Sequence, residues 1–509
     1  MNFSADDLKQ LKALHIEPSQ AARQLARLRT GQIDITLERP CTPGDGIVQI
    51  SSDSHDSLNK SFAKAVAAGR LLRFVPASGA ASRMFSQLHA DAATLAACRT
   101  AQADPPLSPA ERNLRRFFDE LTSFAFYQDL ESAMAEDGYD LHQAVAERDL
   151  ALIIRYLLEP CGLSYSRLPK GLLAFHRVAD GARTPFVEHL AEAALLKGLN
   201  GVVALHFTVS AEHLPLFKAQ FVAWRETLEN SYECHFEVSY STQNPSTDTL
   251  ALDANGQPLR DKKGKLVLRP GGHGALIENL NALSGDIIMV RNIDNVVPDA
   301  RKETNLFCSR LLTGYLLETQ KEQHALLKAL HEQPNDPLVH ERVVGFLADR
   351  LQTEIALTDD SKALLDLLDR PLRVCGMVPI SGEPGGGPFW VRDARGQLTK
   401  QIVEGSQIDK TNAGQADILA RSTHFNPVDM VCGVSNWRGR PYDLSRFVDE
   451  DAVIVASKVQ DGQKIRVLEL PGLWNGGMAK WHTIFVEIPS EAFNPVKTVF
   501  DLLRPAHQP

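Results

Sequence analysis

Paired cysteines, long apolar runs and an excess of positive charge are all missing from this chain of 509 residues. Its seven cysteines, Cys41, Cys98, Cys161, Cys234, Cys308, Cys375 and Cys432, stand singly, with no C-x-x-C spacing and no histidine-rich neighbourhood. That pattern argues against structural zinc and leaves reduced, mostly buried thiols as the expectation. No apolar run approaches the roughly 20 residues needed to span a bilayer. The opening residues, Met1-Asn2-Phe3-Ser4-Ala5-Asp6-Asp7, lack a basic stretch leading into an apolar core, so a cytoplasmic protein with no membrane partner is expected. The formal net charge of −9 and the pI near 6.0 speak against a general nucleic-acid surface. They leave room for a local basic pocket. No Walker A pattern occurs, which disfavours a P-loop kinase. Ser78 sits in Ala77-Ser78-Gly79-Ala80 rather than in G-x-S-x-G, which disfavours a nucleophile-elbow hydrolase. Repeats and low-complexity tracts are absent as well.

A hydrophobic content of 44% over this length supports a large core and more than one compact region. Helical spacing marks the first segment, through Leu8, Leu11 and Leu14 and then Ala22, Leu25 and Leu28, so residues 1–69 read as an N-terminal helical segment. From Leu71 onward, apolar strands alternate with amphipathic helices. Leu71–Val75, Val202–Phe207, His235–Tyr240, Ile287–Val290, Arg373–Val378 and Thr483–Glu487 read as strands, while Pro185–Lys197 and His213–Leu228 read as helices. This alternation predicts an α/β fold with a mainly parallel sheet covered on both faces and ligands at the carboxyl ends of strands. Helical patterns near 86–165 and 302–368 read as insertions into a catalytic domain spanning 70–444, followed by a C-terminal segment over 445–509.

The most informative stretch is Pro76-Ala77-Ser78-Gly79-Ala80-Ala81-Ser82-Arg83, directly after the first strand. Small side chains let main-chain N–H groups close around phosphate oxygens, a following helix adds a favourable field, and Arg83 can meet developing charge. A second cation, Lys170, stands in Leu168-Pro169-Lys170-Gly171.

Together these two segments resemble the signature of the sugar nucleotidyltransferases, in which a glycine-rich loop ending in arginine precedes a Pro-Lys pair. Arg269-Pro270-Gly271-Gly272-His273-Gly274 resembles the second glycine loop of the branch containing the UDP-glucose and UDP-N-acetylhexosamine pyrophosphorylases, and Val290-Arg291-Asn292-Ile293-Asp294 resembles its strand ending in a metal-binding aspartate. The four motifs occur in the family's order. The whole chain is also similar to a bacterial family catalogued as a domain of unknown function. The resemblance implies a three-layer fold of the nucleotide-diphospho-sugar transferase, glycosyltransferase-A type. It implies an enzyme that joins a nucleoside triphosphate, UTP first, to a sugar 1-phosphate and releases pyrophosphate with the help of Mg²⁺. Carried over residue by residue, it assigns Arg83, Lys170 and Lys480 to catalysis and Ala77, Ser78, Gly79, Ala80 and Ser82 to the phosphates. Gln243, Gly271, Gly272 and Gly274 are assigned to the base, Glu404 to the sugar hydroxyls, and Asp294 and Glu487 to the metal.

Two features depart from that pattern. Ala81 stands where the loop usually has glycine, and its methyl group disfavours positive φ. Gly405 stands where an aromatic residue is usual. A glycosyltransferase that consumes a nucleotide sugar, or a nucleotide-sugar-binding protein without turnover, therefore stays open beside the pyrophosphorylase reading.

Overall fold

The computed structural model describes residues 3–89, 94, 108–179, 181–353, 360–380, 386–392, 396–425, 429–460 and 462–509. The helical patterns expected around 86–165 and 302–368 therefore fall partly outside the described residues. The chain forms two compact units: one from Met1–Phe74, Ser241–Val290 and Cys308–Ser490, the other from Val75–Tyr240, Arg291–Phe307 and Glu491–Pro509. This division differs from the sequential one read from the sequence. Residues 445–509 are shared between the units, because Ser490 and Glu491 fall on opposite sides of the boundary.

The protein is mixed α/β with a largely parallel central sheet. In the first unit, neighbouring strands are Thr42–Pro43, Gly46–Val48, His482–Glu487, Leu372–Pro379, Asp429–Gly433, Ile287–Arg291 and Leu71–Pro76. Leu372 to Met377 pair in parallel with His482 to Glu487, and Leu71 to Phe74 pair in parallel with Ile287 to Val290. Asp429–Gly433 runs antiparallel to Leu372–Pro379. Leu372 to Val378 and Ile287 to Arg291 are buried at every position, as strands covered on both faces must be, which is why their sequences are apolar apart from the buried Arg373 and Arg291. Phe74, Ile288, Val290, Cys375, Met377 and Phe485 share one core.

The N-terminal segment is not wholly helical. Helices Ala5–Ala13 and Pro18–Thr30 are present, but Leu37–Pro40 pairs antiparallel with Gly387–Arg392, and Gly46–Val48 pairs in parallel with His482–Glu487. These strands are four and three residues long and find their partners hundreds of residues away, so no local periodicity announces them. Helix Pro18–Thr30 places Leu25 and Leu28 against Leu250, Leu252 and Leu468 of an antiparallel sheet.

In the second unit, helices Pro185–Ala194 and Leu214–Tyr232 flank strands Val202–Thr208 and His235–Ser241, with Phe186, Leu205, Phe207 and Phe217 in their shared core. Thr184 caps Pro185–Ala194 by accepting from the Val187 N–H. Helices Pro109–Asp119, Tyr127–Glu136, Leu141–Ala146 and Leu150–Leu158 build a second core around Phe117, Phe124, Phe126 and Tyr156. No helix among the described residues is long and apolar enough to cross a membrane.

Candidate functional site

The small-residue bend and the Pro-Lys segment are hydrogen-bonded neighbours in the second unit. Ala77 is buried and donates its N–H to the Thr208 carbonyl at 2.8 Å. Four residues later the chain is fixed again: Ala81 N–H donates to the Leu168 carbonyl, and Lys170 N–H donates to the Gly79 carbonyl, both at 3.1 Å. Between these anchors Ser78, Gly79 and Ala80 are exposed, and among the described residues their N–H groups enter no main-chain hydrogen bond. A Cβ placed on Gly79 would meet nothing within 4 Å. The bend is thus held rigidly at both ends and open in the middle.

Two expectations for this bend need correction. Ala81 lies at φ −84°, where its methyl group costs nothing, and it is buried in the same core as Met84 and Phe85. The segment that follows, Ser82–Leu88, is a 3-10 helix, so the field of an α-helix N-terminus does not contribute here. Ser82 and Arg83 are exposed.

Lys170 reaches Asp294. Its Nζ donates to Asp294 Oδ2 at 2.9 Å and to the Val496 carbonyl at 2.6 Å. Lys497 Nζ donates to the same Oδ2 at 3.1 Å. The Asp294 side chain is only 9% exposed, whereas that of Lys497 is 61% exposed. Burial alone would raise the carboxyl's pKa, but Lys497 and Lys170 overcome it and hold the group below the usual carboxylate range. One ionised carboxylate against two ammonium groups leaves a net positive cluster, which suits a phosphate ligand.

Main-chain and side-chain clamps deliver Lys497. Val496 N–H donates to the Asp294 carbonyl at 3.1 Å. The Asn295 side chain donates to the Ala492 carbonyl at 3.1 Å and accepts from the Asn494 N–H at 2.7 Å. Asn295 is held in turn by Arg291, which donates to its carbonyl at 3.2 Å and to Glu192 at 2.7 Å within a fully buried ion pair. Gly171 completes the support: a Cβ there would come within 3.0 Å of Phe217 and 3.2 Å of Ile293. Sequence reading missed Lys497 and Asn295. The available signal was Pro495-Val496-Lys497, a second lysine placed just after a proline, as in Pro169-Lys170.

The remaining expected residues lie in the first unit. Gln243 donates to Thr247 Oγ1 at 3.4 Å, and a Cβ on Gly271 would lie 2.3 Å from the Thr247 carbonyl, so these residues form one packed corner. Gly272 has φ +74°, and a Cβ on Gly274 would lie 2.3 Å from the Pro471 carbonyl. His273 Nδ1 accepts from the Leu473 N–H at 3.1 Å. Burial lowers the pKa of this histidine to about 4, so it is neutral near pH 7. Glu404 is half-buried, and burial together with the Glu469 charge pushes its pKa up. Lys480 is exposed and lines a cavity of about 880 Å³ with Arg438 and Arg446. Glu487 accepts from Gln49 at 2.5 Å and lies 3.4 Å from His424. Among the described residues, no three His, Cys, Asp or Glu side chains gather as a metal cage.

The chain matches, over residues 4–508, the family described as a domain of unknown function, DUF4301, and it belongs to that family. No curated protein matches it. Among solved structures, it is similar to the uridine diphosphate N-acetylglucosamine pyrophosphorylase of Trypanosoma brucei at 14% identity and a TM-score of 0.49, covering 98% of this chain and 79% of that one. It is also similar to a UDP-glucose pyrophosphorylase variant of Leishmania major solved with UDP-glucose, at 12% identity and a TM-score of 0.43, covering 99% and 79% respectively.

Proposed function

We propose that this protein is a nucleotidyltransferase that joins a nucleoside triphosphate to a sugar 1-phosphate and releases pyrophosphate. One observation carries the reading: Lys170 and Lys497 meet on Asp294 while the Lys170 main chain is bonded to the open Ser78–Ala80 bend. In the proposed reaction a sugar-phosphate oxygen bonds to the α-phosphorus, and the bond from that phosphorus to the bridging oxygen of the β-phosphate breaks. Both reactants are anions, so mutual repulsion is the main obstacle, and fixed positive groups lower it without reorganisation. The free N–H groups of Ser78, Gly79 and Ala80 hold triphosphate oxygens, and Arg83 is within the same segment to add charge. Lys170 and Lys497 act as point charges on phosphate, with Asp294 fixing both until a phosphate competes for them. UTP is the leading nucleotide on the resemblance of the second glycine loop.

The residues also fit magnesium. Asp294 Oδ2 takes both lysines, whereas Oδ1 accepts no hydrogen bond among the described residues and is available to a hard cation. When bound, Mg²⁺ would neutralise charge on the phosphate oxygens.

The test is to incubate the purified chain with Mg²⁺, each of the four common nucleoside triphosphates and a panel of sugar 1-phosphates, and to measure pyrophosphate. Release from one pair, fastest with UTP, is the expected result. Tight nucleotide binding with no pyrophosphate from any pair would instead indicate a binding protein, and transfer from a nucleotide sugar to an acceptor would indicate a glycosyltransferase.

A further inference from the structure

The first unit contains a second cluster of positive groups, with no Asp or Glu lining it among the described residues. A cavity of about 50 Å³ is lined by Lys400, Arg370, Trp481, His482 and Gln352, among others. Lys400, on strand Leu398–Val403, is 7% exposed. Its Nζ lies 3.5 Å from Gln352 Oε1, the outer limit of a hydrogen bond, and 5.8 Å from the centre of the Trp390 ring. Gln352 is held in the left-handed region at φ 49°, an unfavourable conformation for a residue with a side chain.

Charge balance is the unusual feature. Among the described residues, Lys400 forms no ion pair. The acid that senses it is Asp45, which is committed to Arg39 at 2.7 Å and to the Trp390 indole N–H at 2.9 Å. Cys41 and Cys375 also face Lys400, but burial raises both thiol pKa values, so neither supplies negative charge. His482 Nε2 is 3.2 Å from the Leu368 carbonyl, and burial with the nearby Arg370 and Lys400 charges keeps the ring neutral. Arg370 donates to the Asp366 carbonyl at 3.1 Å and feels the Asp366 carboxylate charge, but forms no ion pair among the described residues. Arg373 is fully buried, donates to Thr483 Oγ1 at 2.9 Å and to the Trp474 carbonyl at 2.6 Å, and has an Nη2 with no partner among the described residues. The Trp481 Nε1 donor is buried and likewise has no partner among the described residues.

Unfilled donors and an unpaired buried ammonium are costly, and a bound anion would satisfy them together. A space of this size holds one tetrahedral oxyanion or a few waters. We propose that this cavity is a binding site for a small inorganic oxyanion of the phosphate class, held by Lys400, Arg370 and the Trp481 indole N–H. It is independent of the Lys170–Asp294–Lys497 cluster, which belongs to the other unit.

Thermal unfolding of the full chain carrying Lys170→Ala and Lys497→Ala, titrated with inorganic phosphate at constant ionic strength, tests the proposal. These substitutions remove the other cluster of cations. The midpoint should rise by several degrees and saturate, as binding to the native state requires. Adding Lys400→Met should abolish the rise. Trp481→Phe, which keeps an aromatic six-membered ring and deletes the donor with the pyrrole portion of the indole, should weaken apparent phosphate affinity at least fivefold and serves where Lys400→Met does not fold. The proposal is overturned by a midpoint that does not respond saturably to phosphate in the Lys170→Ala, Lys497→Ala chain, or by a response that Trp481→Phe leaves unchanged. A response that appears only with Lys170 and Lys497 intact assigns phosphate to their cluster and also overturns it.

Discussion

In the bend Ala77–Ser82 of the second unit small residues leave space, whereas in the bend Gly271–Gly274 of the first unit they remove it. A side-chain carbon on Gly79 would enter open space, but one on Gly271 or Gly274 would collide with a carbonyl 2.3 Å away. The first bend exposes main-chain donors next to two lysines. The second brings its own main chain against Leu470 and Pro471, with Leu470 N–H donating to the Gly271 carbonyl at 2.9 Å. Similar glycine-rich composition therefore reflects two physical needs, access for a ligand in one place and close backbone packing in the other.

The contrast can be broken experimentally. The largest effect is expected at the open bend's cation: Lys170→Ala should lower pyrophosphate release by about 10²–10³-fold, the usual cost of deleting one fixed electrostatic group, while circular dichroism shows an intact fold. Next comes a paired comparison by urea unfolding. Gly274→Ala should cost about 2–3 kcal/mol through overpacking, and Gly79→Ala should stay within about 0.5 kcal/mol. If both glycines tolerate alanine equally, the distinction between the bends fails. Asn295→Ala removes one buried and one part-buried hydrogen bond and should cost about 1–2 kcal/mol. It should also lower kcat more than it changes KM, since Lys497 loses its clamp without a change in the open bend.

The smallest effect concerns pH. His273 titrates at about 4 in the folded protein against 6.5 in the unfolded chain. Between those values the unfolded state binds the additional proton, so this residue makes stability fall as pH falls through that window. His273→Gln should flatten the dependence of unfolding free energy on pH by up to about 1.4 kcal/mol per pH unit. An unchanged slope would mean that the packed loop does not hold the ring neutral.

Much of the fold was legible because it is local. The run Val202–Phe207 and the helical pattern beginning at Pro185 announce their strand and helix by period, and both form where expected. Leu37–Pro40 and Gly46–Val48 were not legible, since short strands are stabilised by partners that only the folded chain supplies. The same reason separates Lys170 from Lys497. Lys170 lies in a motif readable from adjacent residues, while Lys497 gains its place through Asn295, Ala492 and Val496, contacts between segments about 200 residues apart.

From the sequence alone follow the α/β alternation and the small-residue bend after the first strand, because periodicity, chain stiffness and residue chemistry act over a few neighbours; the roles of Lys170 and Asp294 at one site came only as what the family resemblance implies. Tertiary structure alone decided that Ala81 fills a core instead of straining the bend, that Gly271 and Gly274 serve close packing, that Lys497 shares Asp294, and that Lys400 is buried with no ion-pair partner among the described residues. Those outcomes depend on which distant groups desolvate and contact one another, and burial sets the strength of every charge and hydrogen bond involved.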